Sequence, residues 1–436
     1  MSQIEYPVAV IGAGPIGLAA AAHLLSRGIT PIIFEAGDKA GASINEWGHV
    51  RMFSPWRFNI DKEAQRLLTD SGWTAPQLDL YPTGQELLVQ YIRPLSQLPE
   101  IKPHLHLNSR VVAVSKAEHD VMKTQGRGTA PFLLRVIGSD GEHDVLASAV
   151  IDASGTYATP NWIGANGIPA LGEKENKERI AYGIPDVLGS ARQRYSDRRV
   201  LVVGGGHSAF NALQDLVALA RVAPGTRVVW AIRGTSLERI LGGGENDQLE
   251  QRGKLGLRIR QLLADGAIEL HQGIRINRIA ATPQGLVAHS KEQALPPVDE
   301  IIVATGFRPE LQLLAELRLA LDPATGSPVE LAPLIDPNEH SCGTVRPHGA
   351  QELAHPDEGV FIVGMKSYGR APTFLMLTGY EQLRSVAAAL AGDWESARKS
   401  ELVLPETGVC NTRFSDPAEQ PACCRPATSC SALAAQ

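Results

Sequence analysis

A short apolar run that breaks into spaced glycines opens the chain: Val8-Ala-Val-Ile-Gly12-Ala-Gly14-Pro15-Ile-Gly17, continued by Leu-Ala-Ala-Ala-Ala-His-Leu-Leu. The pattern predicts a strand, a tight turn and a helix. Gly12 makes the turn, Gly14 admits a pyrophosphate to the backbone, and Gly17 lets helix and strand pack closely. Pro15 suits the first helical position, where a missing N–H costs nothing. The free N–H groups of that helix end then face an anion. A second apolar run, Pro31-Ile-Ile-Phe, ends in Glu35 and Ala36, where a carboxylate meets a ribose 2′-hydroxyl. Strand, glycines, helix, strand and acid within about 30 residues make a dinucleotide-binding βαβ unit the expectation.

The pattern returns further on. After a polar stretch over 165–198 comes Arg199-Val-Leu-Val-Val-Gly204-Gly-Gly206-His207-Ser208-Ala209, again a strand, a glycine turn and a helix start. Its next strand, Thr226-Arg-Val-Val-Trp-Ala-Ile, ends in Arg233 where the first unit has Glu35. An acid accepts a bond from a free 2′-hydroxyl, whereas an arginine accommodates a 2′-phosphate. The first site is therefore expected to hold FAD and the second NADPH. A surface ion pair is the other reading of Arg233, and His207 either touches the nicotinamide nucleotide or faces solvent. Two apolar strands end in small residues, Ala153-Ser154-Gly155 and Ala304-Thr305-Gly306, a shape that lets a chain pass close to a cofactor. The second is expected to mark the return to the first domain. Gly364-Met365 follows a further strand and is expected to feed a helix over 374–391 whose N-terminus faces the flavin. The expected fold is α/β, with two Rossmann-like domains and the NADPH domain inserted in the FAD domain. Residues 1–165 and 301–404 form the FAD domain, 166–300 the NADPH domain and 405–436 a flexible tail.

Between Glu35 and the first clear helix pattern, residues 37–56 form a stretch too long for a simple turn. Ser43, Trp47, Arg51, Met52 and Ser54 are expected to run along the flavin; a packed surface loop is the alternative. Residues 61–72 and 84–98 read as helical, while 108–115, containing Val112 as a further candidate contact, and 132–137 read as a hairpin. The net charge of −6 with no basic block excludes a nucleic-acid or anionic-membrane footprint. Residues 8–26 carry no charge, yet the fingerprint accounts for them better than a membrane span. Met1-Ser-Gln-Ile-Glu5 lacks the positive start of a secretory signal, so a cytoplasmic protein is expected. The five cysteines begin only at Cys342, and Cys410, Cys423, Cys424 and Cys430 crowd the end. Their spacing fits no common zinc site, and no metal is expected.

With both fingerprints, Ala304-Thr305-Gly306 and Gly364-Met365 in place, residues 5 to about 395 resemble the two-dinucleotide-binding flavoproteins. The chain lacks the Cys-x-x-Cys of thioredoxin-reductase-like enzymes and the Phe-x-Gly-x-x-x-His-x-x-x-Trp signature of Baeyer–Villiger monooxygenases. Disulfide reductases of this group usually show Gly-Asp where Gly364-Met365 stands. The segments 48–56, 335–348, 365–372 and 405–410 are similar to flavoprotein monooxygenases of bacterial arsenic-resistance operons. That resemblance implies NADPH- and O2-dependent oxidation of trivalent arsenicals (methylarsenite, arsenite) or antimonite to the pentavalent state. Trivalent metalloids are soft and favour thiolates. Cys342 and Cys410, with Arg51, are thus the candidate substrate-side residues, and Cys423, Cys424 and Cys430 the candidate capture thiols. N- or S-oxidation of another small molecule, and a metalloid- or redox-binding flavoprotein working through its cysteine tail, stay open beside it. The oligomeric state is not legible in the sequence.

Overall fold

Each glycine run sits at the centre of its own parallel sheet. The first sheet reads, edge to edge, β15 (Val360–Ile362), β7 (Ala149–Asp152), β1 (Val8–Ile11), β2 (Pro31–Phe34) and β3 (Leu105–His106). The second reads β11 (Glu269–His271), β10 (Arg227–Ala231), β9 (Arg199–Val203), β14 (Glu300–Val303) and β8 (Ile180–Tyr182). These come from a computed structural model, which describes residues 6–241, 250–291, 293–338, 345–371 and 374–402. All five cysteines, Cys342, Cys410, Cys423, Cys424 and Cys430, and the expected tail over 405–436 lie outside the described residues.

The uncharged helix Pro15–Leu25 is buried from Ile16 to Leu24. It lies between the first sheet and the helix Met376–Leu390. A helix covered on both sides needs no polar face, which accounts for its alanine run. Among the described residues no helix is long and apolar enough to cross a membrane. The helix His207–Ala220 buries Ala209, Phe210, Leu213 and Leu216 in the core of the second sheet.

The expected hairpin forms as β4 (Arg110–Lys116) and β5 (Phe132–Gly138), with a register shift between Val111 and Ala113 at Val112. A third strand, β6 (Gly141–Ala147), completes this antiparallel sheet, and β12 (Arg278–Thr282) pairs antiparallel with β13 (Gly285–His289) as a separate ribbon. In β6, Glu142, His143 and Asp144 are exposed, so the strand carries no apolar alternation to announce it. Pairing with β5 and the Arg135–Asp144 cross-strand ion pair at 2.8 Å hold it in place.

Three expectations change. The strand at 300–303 does not return to the first sheet: β14 pairs with β9 and β8 in the second. The boundary drawn at 300/301 falls inside it, and Ile301, Ile302 and Val303 are buried there. The strand after Val360 does not feed a helix directly. Gly364 turns left-handed at φ +67, a 3₁₀ turn Gly364–Tyr368 follows, and the helix starts only at Met376. The 37–56 stretch is not all loop. It contains the helix Ala42–Glu46, and its later part runs as a ribbon against 78–83, with Met52 N–H donating to Pro82 O (2.8 Å) and Trp56 N–H to Leu80 O (2.9 Å).

Two connectors join the sheets and pair with each other. Pro160 bridges Phe307 antiparallel, Asn161 N–H donates to Gly306 O (2.9 Å), and Thr305 Oγ1 donates to Asn161 O (2.9 Å). Tyr157 stacks on Phe307 with ring centroids 5.1 Å apart.

Candidate functional site

At the first turn the three glycines do three different things. Gly12 has φ +98, and a Cβ there would lie 2.9 Å from Ala153 O. A Cβ at Gly17 would lie 1.8 Å from Gly12 O, so helix and turn touch backbone to backbone. Gly14 has no heavy atom within 4 Å of its Cβ position and faces open space. Gly14 is also the helix N-cap, with Pro15 next, no side-chain cap and no acid in the first turn. The N–H groups there have no anion of the chain's own, which suits a pyrophosphate.

Glu35 stands beside this turn at the end of β2. Its Oε2 accepts from Ala13 N–H (2.9 Å) and its Oε1 from Gly37 N–H (2.8 Å). Each carboxylate oxygen keeps a lone pair for a hydroxyl. Ala36, the next residue, is exposed. Ser109 N–H donates to Glu35 O (2.8 Å), which brings the strand carrying Val112 alongside.

The expected flavin-side row does not form one line. Ser43 is exposed, and Trp47 packs its ring on Gly84. Met52 lies half-buried against the first core. Arg51 is exposed, bonds Tyr81 O and pairs with Glu86 at 3.6 Å. Ser54 is buried, and its hydroxyl donates to Asn59 Oδ1 (2.8 Å), closing a turn within the chain. The catalytic candidates Cys342 and Cys410 lie outside the described residues.

The second turn repeats the first. Gly204 has φ +136, and a Cβ there would lie 2.2 Å from Ala304 O. Gly206 faces open space and caps the helix His207–Ala220, again without a side-chain cap or an acid in the first turn. Ala304 thus belongs to the second turn, while the Thr305 hydroxyl and the Gly306 carbonyl are taken up by the paired connectors. Ala209 is fully buried and Ser208 half-buried. Trp230 Nε1 donates to Gly204 O (2.7 Å) and braces the turn. Arg233, just past β10, is exposed, with no ion pair or side-chain hydrogen bond among the described residues. Its guanidinium is open to solvent. His207 does not simply face solvent. Its ring lies 5.4 Å from Phe53 of the first region and 5.8 Å from Phe210.

Sequence reasoning missed a buried charge pair beside the first turn. Asp152 ends β7, and Lys366 lies in the 3₁₀ turn after β15. Lys366 Nζ is 2.6 Å from Asp152 Oδ2, and neither side chain has any exposure. Lys366 Nζ also donates to Ser154 Oγ (3.0 Å), which in turn donates to Asp152 Oδ1 (2.6 Å). The signal was present as one acid closing the otherwise apolar run Ala149-Val-Ile-Asp152.

A second buried network holds Gly364. Its N–H donates to Gln382 Oε1 (2.8 Å), and Gln382 Nε2 donates to Ser367 Oγ (2.9 Å) and His348 Nε2 (3.0 Å). His348 Nδ1 faces Arg346 O (3.0 Å). These partners require the neutral tautomer with the proton on Nδ1. Burial pushes the His348 pKa down, in keeping with that. Met365 is half-buried beside this network. Among the described residues no cluster of His, Cys, Asp or Glu could hold a metal ion.

A family model described as pyridine nucleotide-disulphide oxidoreductase matches residues 9–332. The bacilliredoxin reductase Bdr of Bacillus subtilis is 25% identical over 328 residues, 75% of this chain and 84% of that protein. The flavin-containing monooxygenase FMO GS-OX-like 2 of Arabidopsis thaliana is 25% identical over 239 residues. That match covers 49% of this chain, which spans only about half (48%) of the plant enzyme. Among solved structures, the bacillithiol disulfide reductase Bdr of Bacillus cereus gives a TM-score of 0.66 at 22% identity, covering 89% of this chain and 99% of that one. The ornithine N-hydroxylase of Kutzneria sp. 744 gives 0.58 at 14%, covering 90% and 100%. Those structural likenesses establish the fold.

Proposed function

The chain belongs to the pyridine nucleotide-disulphide oxidoreductase family, as a flavin-dependent enzyme using FAD and NADP(H), and from that premise we propose how it divides the work. FAD lies at the first turn, its pyrophosphate on the Pro15 helix end and its ribose at Glu35. NADPH lies at the second, with its 2′-phosphate on Arg233. One observation carries this assignment: two turns of the same geometry, both open at the middle glycine and uncapped, differ in an acid against an unpaired arginine.

FAD supplies hydride acceptance from NADPH and electron delivery to O2; the protein supplies placement. The reaction is monooxygenation or oxidation of a small molecule, in the cytoplasm. The substrate class is a soft trivalent metalloid, an organoarsenical, arsenite or antimonite. The resemblance in segments 48–56, 335–348 and 365–372 supports it, together with the late cysteines as soft donors. A second reading, reduction of a disulfide, is favoured by the likeness to the bacilliredoxin reductase Bdr over most of the chain. The sequence holds no Cys-x-x-Cys to relay electrons by dithiol exchange.

A substrate panel with NADPH, run in air and without oxygen, tests this. We expect a yellow protein whose NADPH consumption rises with trivalent arsenical or antimonite only in air. A rise with a disulfide under anaerobic conditions would establish the second reading instead. A rise with amines or sulfides alone in air would move the substrate to nitrogen or sulfur.

A further inference from the structure

We propose that the Asp152–Lys366 pair sets the electrostatic potential of the first cofactor site and so tunes the reduction potential of its flavin. The inference rests on placing FAD at the first turn. The pair adjoins that turn directly, since a Cβ on Gly12 would lie 2.9 Å from Ala153 O and 3.0 Å from Ser154 Cα. Ser154 is exposed, whereas the two charges beneath it are sealed. The Ser154 hydroxyl touches both: it donates to Asp152 and accepts from Lys366. A cofactor lying over Ser154 therefore sits one hydroxyl away from a buried salt bridge.

Two further observations point to a ligand. An ammonium group has three donors, and Lys366 places two, on Asp152 and Ser154. The third, in a side chain without exposure, has no acceptor among the described residues. The second unit supplies the control. Val303 stands before Ala304-Thr305-Gly306 where Asp152 stands before Ala153-Ser154-Gly155, and that sheet closes around its turn with an apolar residue. The architecture itself thus has no need of the charge pair. Burying such a pair gains little or no stability over apolar residues of the same volume. In a water-poor site, charges this close act strongly on a bound group that gains electrons.

The two members act as positioning residues of opposite sign, which gives the test its form. The protein is purified with its flavin, and the midpoint potential is measured by equilibration with a reference dye. Asp152→Asn leaves the cation in excess and shifts the flavin toward the reduced form. Lys366→Met leaves the anion in excess and shifts it the other way, with faster flavin release. Each change is expected to reach at least about tenfold in the reduced-to-oxidised ratio, about 30 mV for two electrons. The double variant returns toward the parent, and Lys366→Arg, which keeps the charge, stays near it. A purely structural pair would lower stability in both single variants without moving the potential in opposite directions. That result, or shifts of the same sign, overturns the inference. Should Lys366→Met fail to fold, Asp152→Asn against Lys366→Arg decides it alone. Gly14→Val separates the two levels of the argument. Loss of flavin from it upholds the placement, whereas retained flavin refutes the placement itself.

Discussion

At the first turn the last glycine of the fingerprint, Gly17, has its would-be Cβ 1.8 Å from Gly12 O; at the second, the same place is held by Ala209, fully buried. The neighbouring strand presses its carbonyl on each turn in the same way, Ala153 O on Gly12 and Ala304 O on Gly204. The surroundings then diverge. The first turn is pinned by a carboxylate, Glu35 to Ala13 and Gly37, and lies beside a buried charge pair. The second is braced by an indole, Trp230 to Gly204, in an apolar setting with a free arginine at its rim. One backbone solution therefore recurs in two different side-chain settings.

The largest effect expected from breaking that comparison is at Gly17. Gly17→Ala forces helix and turn apart and should cost about 4 kcal/mol or more, with loss of flavin. Ala209→Gly should cost only about 1 kcal/mol, the price of a glycine inside a helix. Thermal unfolding of both variants checks the ratio; equal losses would show that the two turns are equally tight.

Acid should divide the units next. In the first, Ala320 N–H donates to His355 Nδ1 (3.3 Å) and burial pushes that histidine down to about 4. The unfolded chain then takes up the proton first, near pH 6.5. Stability present above that pH is lost as it falls toward 4, at up to about 1.4 kcal/mol per unit and about 3 in all. In the second, burial pushes Asp215 up to about 6, with His49 opposing and Asp186 adding to the shift. There the folded state takes up the proton first, so stability rises as pH falls from about 6 toward 4. Hydrogen exchange at pH 7 and pH 5, corrected for intrinsic rates, should show protection falling around 345–362 and holding in the helix His207–Ala220. The opposite order would refute the assignment of these two groups.

Arg233→Ala sharpens the ligand side of the comparison. Loss of a charged hydrogen-bond partner costs about 1.5–3 kcal/mol, so KM for NADPH should rise roughly tenfold to a hundredfold while KM for NADH stays nearly unchanged. Equal changes would remove Arg233 from the phosphate site. The smallest effect is at Trp230→Phe, which keeps the ring and loses the bond to Gly204 O. It should cost about 1 kcal/mol, read as a lowered Tm with flavin content unchanged.

The strands, glycine turns and helices of both units were legible because each needs residues of a particular kind at a particular spacing. Gly12, Gly17 and Gly204 admit no side chain, and the apolar strands have one place to go. The helix Ala42–Glu46 and β6 were not legible. The first is short and capped only by a left-handed Gly41 at φ +71, and the second is polar and exists through its partner. At the candidate site, the two turns and the positions of Glu35 and Arg233 beside them were readable from spacing. The Ser54–Asn59 hydrogen bond was not readable, because nothing local in the sequence reveals it.

The amino-acid order alone settled that this chain builds two nucleotide folds and which sign of charge rims each, since those properties lie within about 30 contiguous residues. Only the folded chain decided what Asp152 and Lys366 do. They stand far apart in sequence and come within 2.6 Å because β7 and β15 are neighbours in one sheet. It also moved β14 into the second sheet, because pairing between distant strands depends on which partners bury their apolar faces together.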